Sequence, residues 1–146
     1  MNFRSEFAIL FLSVTFLLSA ACQQPFDVTV VTQIIDGDTV VIKDGRYVRY
    51  IGVDAPEKGE FYYAEAKQMN EELVAGKKVR LERDVSDSDK YGRLLRYVYI
   101  GDTFVNAEMV KQGCAWAKAY PPDVKYQVYL ESVEKEARQS KRGVWK

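Results

Sequence analysis

The chain has 146 residues, of which 47% are hydrophobic and 29% are charged, enough for one hydrophobic core and too little for two ordinary domains. Its 21 Lys and Arg residues balance 21 Asp and Glu residues, so a polyanionic partner would have to be held by a local basic cluster. The sequence contains no histidine and only two cysteines, which excludes Ser-His-Asp hydrolases, histidine-based nucleases, His-containing zinc sites and disulfide frameworks.

Residues 1–21 have the pattern of a secretory signal peptide, with Arg4 near the start, an apolar run from Phe7 and small residues at the end. A transmembrane anchor is the alternative. However, Ser and Thr residues interrupt the run, which is also shorter than the roughly 20 apolar residues that a spanning helix needs. Export is therefore predicted for this chain.

The segment Leu18-Ser-Ala-Ala-Cys22 resembles a bacterial lipobox, in which the cysteine is lipidated and becomes the new N-terminus. Residues 22–27 would then be a short tether, and residues 28–146 would form one folded domain. If Cys22 is lipidated, Cys114 stays unpaired and is expected to act as a small buried apolar side chain.

Beyond the leader, the predicted order of elements is three strands, a helix, two strands and two helices. Three β-rich runs are separated by two Asp-Gly pairs, which are strong hairpin signals and predict a three-stranded meander. The predicted strands cover residues 28–35, 40–42, 47–51, 79–85 and 94–100. The predicted helices cover residues 63–75, 105–112 and 124–140, the last with Tyr126, Tyr129, Leu130 and Val133 facing inward.

Five strands with a helix inserted after the third indicate an α+β fold. The specific prediction is an OB-fold five-stranded β-barrel with about three helices packed on it.

Two carboxylates follow the first predicted strand, in the segment Asp36-Gly37-Asp38-Thr39. Residues two apart in extended backbone point to the same side, so Asp36 and Asp38 would share one face. Paired carboxylates supply the hard oxygen ligands that Ca²⁺ and Mg²⁺ prefer. A plain hairpin turn is the alternative for this tetrapeptide taken alone.

The third predicted strand and its exit contain Arg49, Asp54 and Glu57. Pro56 fixes its own backbone and biases Ala55 towards an extended conformation, so a stiff corner would present the two acids. These groups and the preceding carboxylates could converge at one end of a barrel. A solvated turn with a surface ion pair is the alternative.

A basic and aromatic cluster, Asp89-Lys90-Tyr91-Gly92-Arg93, precedes the fifth predicted strand. The planar guanidinium of Arg93 matches two phosphate oxygens, a geometry that lysine cannot imitate. By itself this cluster is a weak signal, because many hairpin tips are basic and polar.

Together these motifs resemble the thermonuclease family, the staphylococcal-nuclease-like domains. The resemblance runs from about residue 30 to residue 145 and includes Ile35-Asp-Gly-Asp-Thr39, Arg49 with Val53-Asp-Ala-Pro-Glu57, Asp89-Lys-Tyr-Gly-Arg93, Val105-Asn106 leading into Val110-Lys-Gln-Gly113, and Gly143-Val-Trp145. It implies an OB-type barrel that hydrolyses phosphodiesters of DNA and RNA with Ca²⁺ and leaves 3′-phosphate ends.

The resemblance also implies an ion site. Asp38 and Asp54 would be side-chain ligands of the Ca²⁺ ion, and the backbone carbonyl of Ala55 would be a further ligand. The family commonly has Thr at that last position, but a carbonyl ligand is retained when Ala replaces it. Asp36 would support the ion through water.

The remaining matching residues are implied to act on the substrate. Arg49 and Arg93 would grip the scissile phosphate, and Glu57 would be the general base toward the attacking water. Lys90 and Tyr91 would hold the terminal phosphate of a bound nucleotide. This division of labour agrees with what phosphodiester hydrolysis requires, namely neutralised phosphoryl charge and an oriented water.

The chain departs from the family in two places. The stretch between Glu57 and the first helix is short, so a substrate-covering loop is expected to be reduced. The family stacks a base on two tyrosines after its short second helix, whereas this region contains Trp116 and Tyr120. Either side chain would serve for stacking, which tolerates any base. The alternative is that both merely pack on the barrel.

The sequence therefore predicts an exported Ca²⁺-dependent nuclease, monomeric, acting on DNA and RNA with single strands preferred. It would be secreted, or attached to the cell envelope only through a lipid on Cys22. The main alternative is a catalytically silent OB module of the envelope that binds nucleic acid or a protein. A third is a structural envelope lipoprotein whose acidic corner only binds cations.

Overall fold

A computed structural model describes residues 26–146. The predicted signal peptide and the lipobox with Cys22 lie outside the described residues. Along the chain the elements are β1 (Phe26–Ile34), β2 (Thr39–Ile42), β3 (Tyr47–Tyr50), β4 (Val53–Asp54), α1 (Tyr63–Val74), β5 (Lys78–Glu82), β6 (Leu94–Ile100), β7 (Thr103–Phe104), α2 (Val105–Lys111), β8 (Trp116–Ala117), α3 (Gln127–Gln139) and a closing 3-10 helix (Gly143–Trp145).

Five strands close into a barrel, which confirms the predicted OB-type α+β fold with three helices. β1 pairs with β2 through its second half and with β5 through its first half, and β5 pairs with β6. The meander β1–β2–β3 is antiparallel, as the Asp-Gly turns predicted. A parallel pairing of β3 with β6 closes the circle.

The barrel interior is filled by aliphatic side chains, because alternate residues of each strand point inward. Val31, Val40, Val48, Leu81 and Val98 are all buried there. Burying one such side chain stabilises the fold by about 1.5–3 kcal/mol. α2 packs against α3 and β6.

A buried asparagine joins α2 to the barrel. Asn106 accepts a hydrogen bond from the Val98 N–H at 2.9 Å and donates one to the Ile51 carbonyl at 2.8 Å. The turn at Ile51 separates β3 from β4. At this turn Gly52 has φ +77°, and a Cβ there would lie 2.5 Å from Leu130 Cδ1 of α3. The positive φ favours glycine at this position, and the missing side chain leaves room for Leu130.

Several boundaries differ from the sequence-based expectation. β1 begins at Phe26, so Phe26 and Asp27 belong to the barrel and not to the tether. The two-residue strands β4, β7 and β8 were not predicted, because elements this short leave no periodicity in the sequence.

The third helix begins at Gln127, three residues later than predicted, because Val124 to Tyr126 form a turn before it. The prediction that Tyr129 faces inward is wrong, since this residue is 52% exposed. The buried positions of α3 are Gln127, Leu130, Val133 and Ala137. Within residues 26–146, none of the helices is long and apolar enough to cross a membrane.

Cys114 is a buried free thiol directly after α2, as expected for a small apolar side chain. Burial raises the pKa of this thiol to about 11. Cys114 therefore stays a neutral thiol at physiological pH.

Candidate active site

The turn between β1 and β2 holds two carboxylates in a fixed arrangement. The Asp38 N–H donates to Asp36 Oδ1 at 3.0 Å, which folds the turn on itself. The Ala55 N–H donates to Asp38 Oδ2 at 2.7 Å, so the turn is joined to the residue that follows β4. A Cβ on Gly37 would lie 2.7 Å from the Cβ of Ala55. The missing side chain at Gly37 is what allows this close approach.

Arg49 links the acids to one another. Its Nη2 lies 3.1 Å from both Asp38 Oδ2 and Asp54 Oδ1, and its Nη1 donates to the carbonyls of Tyr50 and Val53 at 2.7 Å each. The planar fork of a guanidinium can make these contacts at the same time, whereas an ammonium group cannot. The two predicted side-chain ligands, Asp38 and Asp54, therefore both contact Nη2 of Arg49.

Asp38 and Asp54 share a single guanidinium, that of Arg49. Burial raises the pKa of Asp38 above the usual aspartate range, while the charge of Arg49 acts in the opposite direction. A cation close to Asp38 would oppose the effect of burial. The available donors are hard carboxylate and carbonyl oxygens, which suit a hard divalent cation.

Within the described residues, no group of three or more His, Cys, Asp or Glu side chains is placed to hold a metal ion. An ion at Asp38 and Asp54 would therefore need backbone carbonyl and water ligands as well. Hard divalent cations accept such a mixed oxygen shell.

The two predicted phosphate-binding arginines line one cavity of about 460 Å³. In the parallel β3–β6 pair, Arg49 lies beside Leu95. Arg93 directly precedes β6, two residues before Leu95, and Leu95 lines the same cavity as the two arginines. Backbone pairing between segments far apart in the chain thus places both guanidinium groups at the same opening.

Asp89 fixes the position of Arg93. The Arg93 Nε donates to Asp89 Oδ2 at 2.7 Å, and the backbone N–H groups of Tyr91 and Arg93 donate to Asp89 Oδ1 at 2.9 and 3.0 Å. Burial alone would raise the pKa of Asp89, but these hydrogen bonds hold it below its usual range. Lys90 and Tyr91 line the same cavity, and Tyr91 is 73% exposed.

The two aromatic candidates for stacking differ in position. Tyr120 lines the cavity and is 41% exposed, with the Arg49 Cζ 6.0 Å from its ring centroid. Trp116 lies in β8 opposite Asp54 and is not among the residues that line the cavity. The structure therefore brings Tyr120, and not Trp116, to the cavity wall.

Glu57 lies in an exposed turn just after Ala55 and Pro56. Its backbone N–H donates to Glu60 Oε2 at 2.7 Å, and the Glu60 N–H donates back to the Glu57 carbonyl at 2.9 Å. These two bonds fix the backbone of Glu57, which follows Asp54 by three residues in the chain. Glu57 is not among the residues that line the cavity.

Three structural partners of the site were missed by sequence reasoning. Lys118 Nζ lies 2.8 Å from Asp54 Oδ2. Asp123 accepts hydrogen bonds from the N–H groups of Val85 and Ser86, which joins the loop before Arg93 to the loop that contains Tyr120. The third partner is Asn70 of α1. No local pattern identifies such residues, because Lys118 and Asp54 are 64 positions apart in the chain.

Asn70 is fully buried and holds the Asp36 turn from α1. Its Nδ2 donates to the Asp36 carbonyl at 2.8 Å, and its Oδ1 accepts a hydrogen bond from the Tyr50 hydroxyl at 2.8 Å. A helix residue therefore ties the acidic turn to β3, the strand that carries Arg49.

Known proteins resemble this chain over most of its length. The family described as "Staphylococcal nuclease homologue" matches residues 47–146. A thermonuclease of Staphylococcus intermedius is 41% identical, with 79% of this chain and 74% of that protein covered. A thermonuclease of Staphylococcus hyicus is 37% identical, with 94% and 91% covered. The endonuclease YncB of Bacillus subtilis is 41% identical, with 76% and 58% covered.

Proposed function

The chain belongs to the staphylococcal nuclease family, and we propose that it is an exported Ca²⁺-dependent nuclease that hydrolyses DNA and RNA and leaves 3′-phosphate ends. Membership of this family makes it a phosphodiester hydrolase that acts on nucleic acid. One observation carries the assignment of the site: Arg49 and Arg93 line the same cavity, and Arg49 also holds Asp38 and Asp54.

The ion would be held by Asp38, Asp54 and the carbonyl of Ala55, with Asp36 acting through water. When bound, a divalent cation would polarise the phosphate and offset the charge on its oxygens. Calcium is proposed because the donors are hard oxygens and because this ion tolerates a flexible, partly hydrated shell.

The two arginines would bind the scissile phosphate from different strands. Charge on the phosphoryl oxygens grows toward the transition state, so donors already held in place stabilise it without rearrangement. Arg49 is fixed by its acids and carbonyls, and Arg93 is fixed by Asp89. Arg49 would present its Nε–H to a phosphate oxygen, and Arg93 would present the N–H groups of its two Nη atoms.

Glu57 would accept a proton from the attacking water. The water oxygen would form a new bond to phosphorus while the bond from phosphorus to the 5′ oxygen breaks. The leaving 5′ oxygen would take up a proton, and the phosphate would stay on the 3′ oxygen. This is the bond cleavage that leaves a 3′-phosphate end.

The cavity rim would determine how the substrate lies. Lys90 and Tyr91 would contact a terminal phosphate, and Tyr120 would stack on a base. Stacking needs a base that is free of its partner strand, so single-stranded DNA and RNA would be preferred. We also propose a monomer, since a single chain supplies Arg49, Arg93 and Tyr120 to the cavity and Asp38 and Asp54 to Arg49.

Export and anchoring rest on the leader sequence alone. A lipid on Cys22 would hold the protein at the envelope, and its absence would release the protein as a secreted enzyme. Fractionation of expressing cells should place the wild-type protein in the membrane fraction and the Cys22→Ser variant in the soluble fraction. The same distribution for both proteins would contradict lipidation.

Two substitutions test the proposed catalytic roles. Glu57→Gln removes the proton acceptor, and Arg93→Ala removes one phosphate contact. Each should lower the rate of hydrolysis of denatured DNA at least about 100-fold, the usual effect of removing such a group. Circular dichroism and the melting temperature should stay close to the wild-type values.

Matched controls separate the roles from general effects of charge. Glu71→Gln changes an exposed glutamate on α1, and Arg46→Ala removes an arginine that also pairs with an aspartate at 2.7 Å. Both should keep nearly full activity. Full activity in the Glu57 and Arg93 variants would contradict the mechanism. DNA binding without hydrolysis by the wild-type protein under any divalent ion would favour the catalytically silent OB module.

A further inference from the structure

Asp54 is paired with two cations, one on each carboxylate oxygen. Its Oδ1 lies 3.1 Å from Arg49 Nη2, and its Oδ2 lies 2.8 Å from Lys118 Nζ. Asp38, the other proposed side-chain ligand, has only Arg49 as an ion-pair partner among the described residues. The two carboxylates are therefore not equivalent before an ion arrives.

The position of Lys118 follows from the short sheet formed by β4 and β8. Asp54 lies opposite Trp116, and the Lys118 N–H donates to the Gly52 carbonyl at 2.9 Å. Lys118 and Asp54 are thus diagonal neighbours on adjacent antiparallel strands, a separation that a lysine side chain can span. The backbone hydrogen bond fixes the position of the Lys118 Cα, and from there the ammonium group extends to the Asp54 carboxylate.

The two cations on Asp54 differ in how firmly they are held. Arg49 makes two further bonds to backbone carbonyls, and its side chain is 11% exposed. The Lys118 side chain is 51% exposed. A half-exposed ammonium on a flexible stem can move into water at little cost, whereas the buried guanidinium cannot.

We propose that Lys118 is a positioning residue that occupies Asp54 until a divalent cation binds, and that it thereby raises the cation concentration at which the site fills. The inference rests on the proposed function, because it requires Asp54 to be an ion ligand. An ion at Asp54 would meet the positive charge of Lys118 at short range, and repulsion between them weakens binding unless Lys118 moves away.

Calorimetric titration of Ca²⁺ into the wild-type protein and the Lys118→Met variant tests this directly. Methionine keeps an unbranched side chain of similar length and removes the charge. The variant should bind Ca²⁺ about three- to tenfold more tightly, a modest gain because a half-exposed charge is screened by water and salt. The measurement reads ion binding and does not depend on catalytic activity.

The chain offers a closely matched control. Lys125 is also 51% exposed in its side chain and also pairs with one carboxylate, that of Glu82 on β5. Lys125→Met changes the net charge equally and should leave the Ca²⁺ affinity within about twofold of wild type, because its partner is not a proposed ion ligand. Lys118→Arg keeps the charge and should also bind Ca²⁺ like the wild-type protein.

The outcomes separate this inference from the proposed function. Equal or weaker Ca²⁺ binding by Lys118→Met, with measurable binding by the wild-type protein, would overturn the role of Lys118 and leave the proposed nuclease mechanism standing. Tighter binding by Lys118→Arg as well would overturn it too, since charge would not be the cause. No Ca²⁺ binding by the wild-type protein would overturn both. If Lys118→Met does not fold, Lys118→Gln gives the same comparison.

Discussion

At the scale of single residues, the acidic end of the barrel requires one position that has no side chain. Gly37 lies between the two carboxylates of the first turn. The nearest atoms to a Cβ built at this position are the Cβ atoms of Ala55, at 2.7 Å, and of Ala66, at 3.0 Å. The turn can approach the corner after β4 only because this space is free.

Gly37→Ala should therefore push the Asp38 turn away from Ala55. We expect a loss of about 1–3 kcal/mol in the free energy of unfolding, the usual cost of forcing an extra methyl group into a packed site. Ca²⁺ binding should weaken as well, because Asp38 and Asp54 would move apart. Urea denaturation and calorimetry measure the two effects.

The double variant Gly37→Ala with Ala55→Gly is the control for steric overlap, since it removes the methyl group that is nearest to the new one. It should recover part of both losses. A single variant as stable as the wild-type protein would contradict this explanation of the turn.

At the scale of elements, α1 acts as a support for the site although it does not line the cavity. Asn70 is the contact, because it donates to the Asp36 carbonyl and accepts from the Tyr50 hydroxyl. Burial raises the pKa of Tyr50, so this hydroxyl stays protonated and keeps donating. One helix residue thus connects the acidic turn with β3.

Asn70→Ala should leave the Tyr50 hydroxyl and the Asp36 carbonyl without their partner in the interior. A loss of about 2–4 kcal/mol in the free energy of unfolding is expected, since each buried group left unpaired costs about 1–3 kcal/mol. Denaturant unfolding measures it. Gln68→Ala is the control on the same helix, where the side chain is exposed and bonds only to Glu72. Equal stability of the two variants would contradict the supporting role of α1.

The elements themselves were largely predictable, while their mutual contacts were not. The β-branched runs and Asp-Gly turns predicted β1 to β3, because local backbone preference determines a hairpin. The segment 63–75 likewise showed helical periodicity. By contrast, Asn70 and Asp36 are 34 positions apart, and Lys118 and Asp54 are 64 apart. Such pairs depend on how the barrel closes, which no local pattern encodes.

Some of the site residues could likewise be predicted from local motifs, whereas others depend on how the strands pair. Arg49, Asp54 and Arg93 were identified through motifs, and the structure places the two arginines at one cavity. The choice between Trp116 and Tyr120 was open in the sequence, because the two are close together and both aromatic. The pairing of β8 with β4 separates them, since it holds Trp116 opposite Asp54.

At the scale of the whole molecule, a second charged cluster joins the barrel to the start of α3. The Glu82 carboxylate of β5 pairs with Lys125 and accepts hydrogen bonds from the hydroxyls of Tyr99 and Tyr126 at 3.0 and 3.1 Å. Burial alone would raise the pKa of Glu82, but these partners outweigh it and hold the pKa below the usual glutamate range.

This cluster predicts a loss of stability in acid. A carboxylate whose pKa is lower in the folded protein contributes stability above its unfolded pKa, and the contribution disappears as the pH falls through the folded value. Between neutral pH and about pH 3, Glu82→Gln should therefore lose less of its free energy of unfolding than the wild-type protein does. Denaturant unfolding at a series of pH values measures this, with Glu71→Gln as the exposed control. Parallel pH profiles for wild type and Glu82→Gln would contradict the prediction.

The acids and the two arginines are proposed to form one site in which an ion and a phosphate are bound together. Calorimetric titration of Ca²⁺ into the Glu57→Gln variant, with and without a short single-stranded DNA, tests this most directly, because the variant should bind the DNA and cleave it at least about 100-fold more slowly than the wild-type protein. DNA should tighten Ca²⁺ binding about tenfold or more, as expected for two ligands that favour each other. A further Arg93→Ala substitution should abolish that gain but not Ca²⁺ binding itself. The same Ca²⁺ affinity with and without DNA would contradict a shared site.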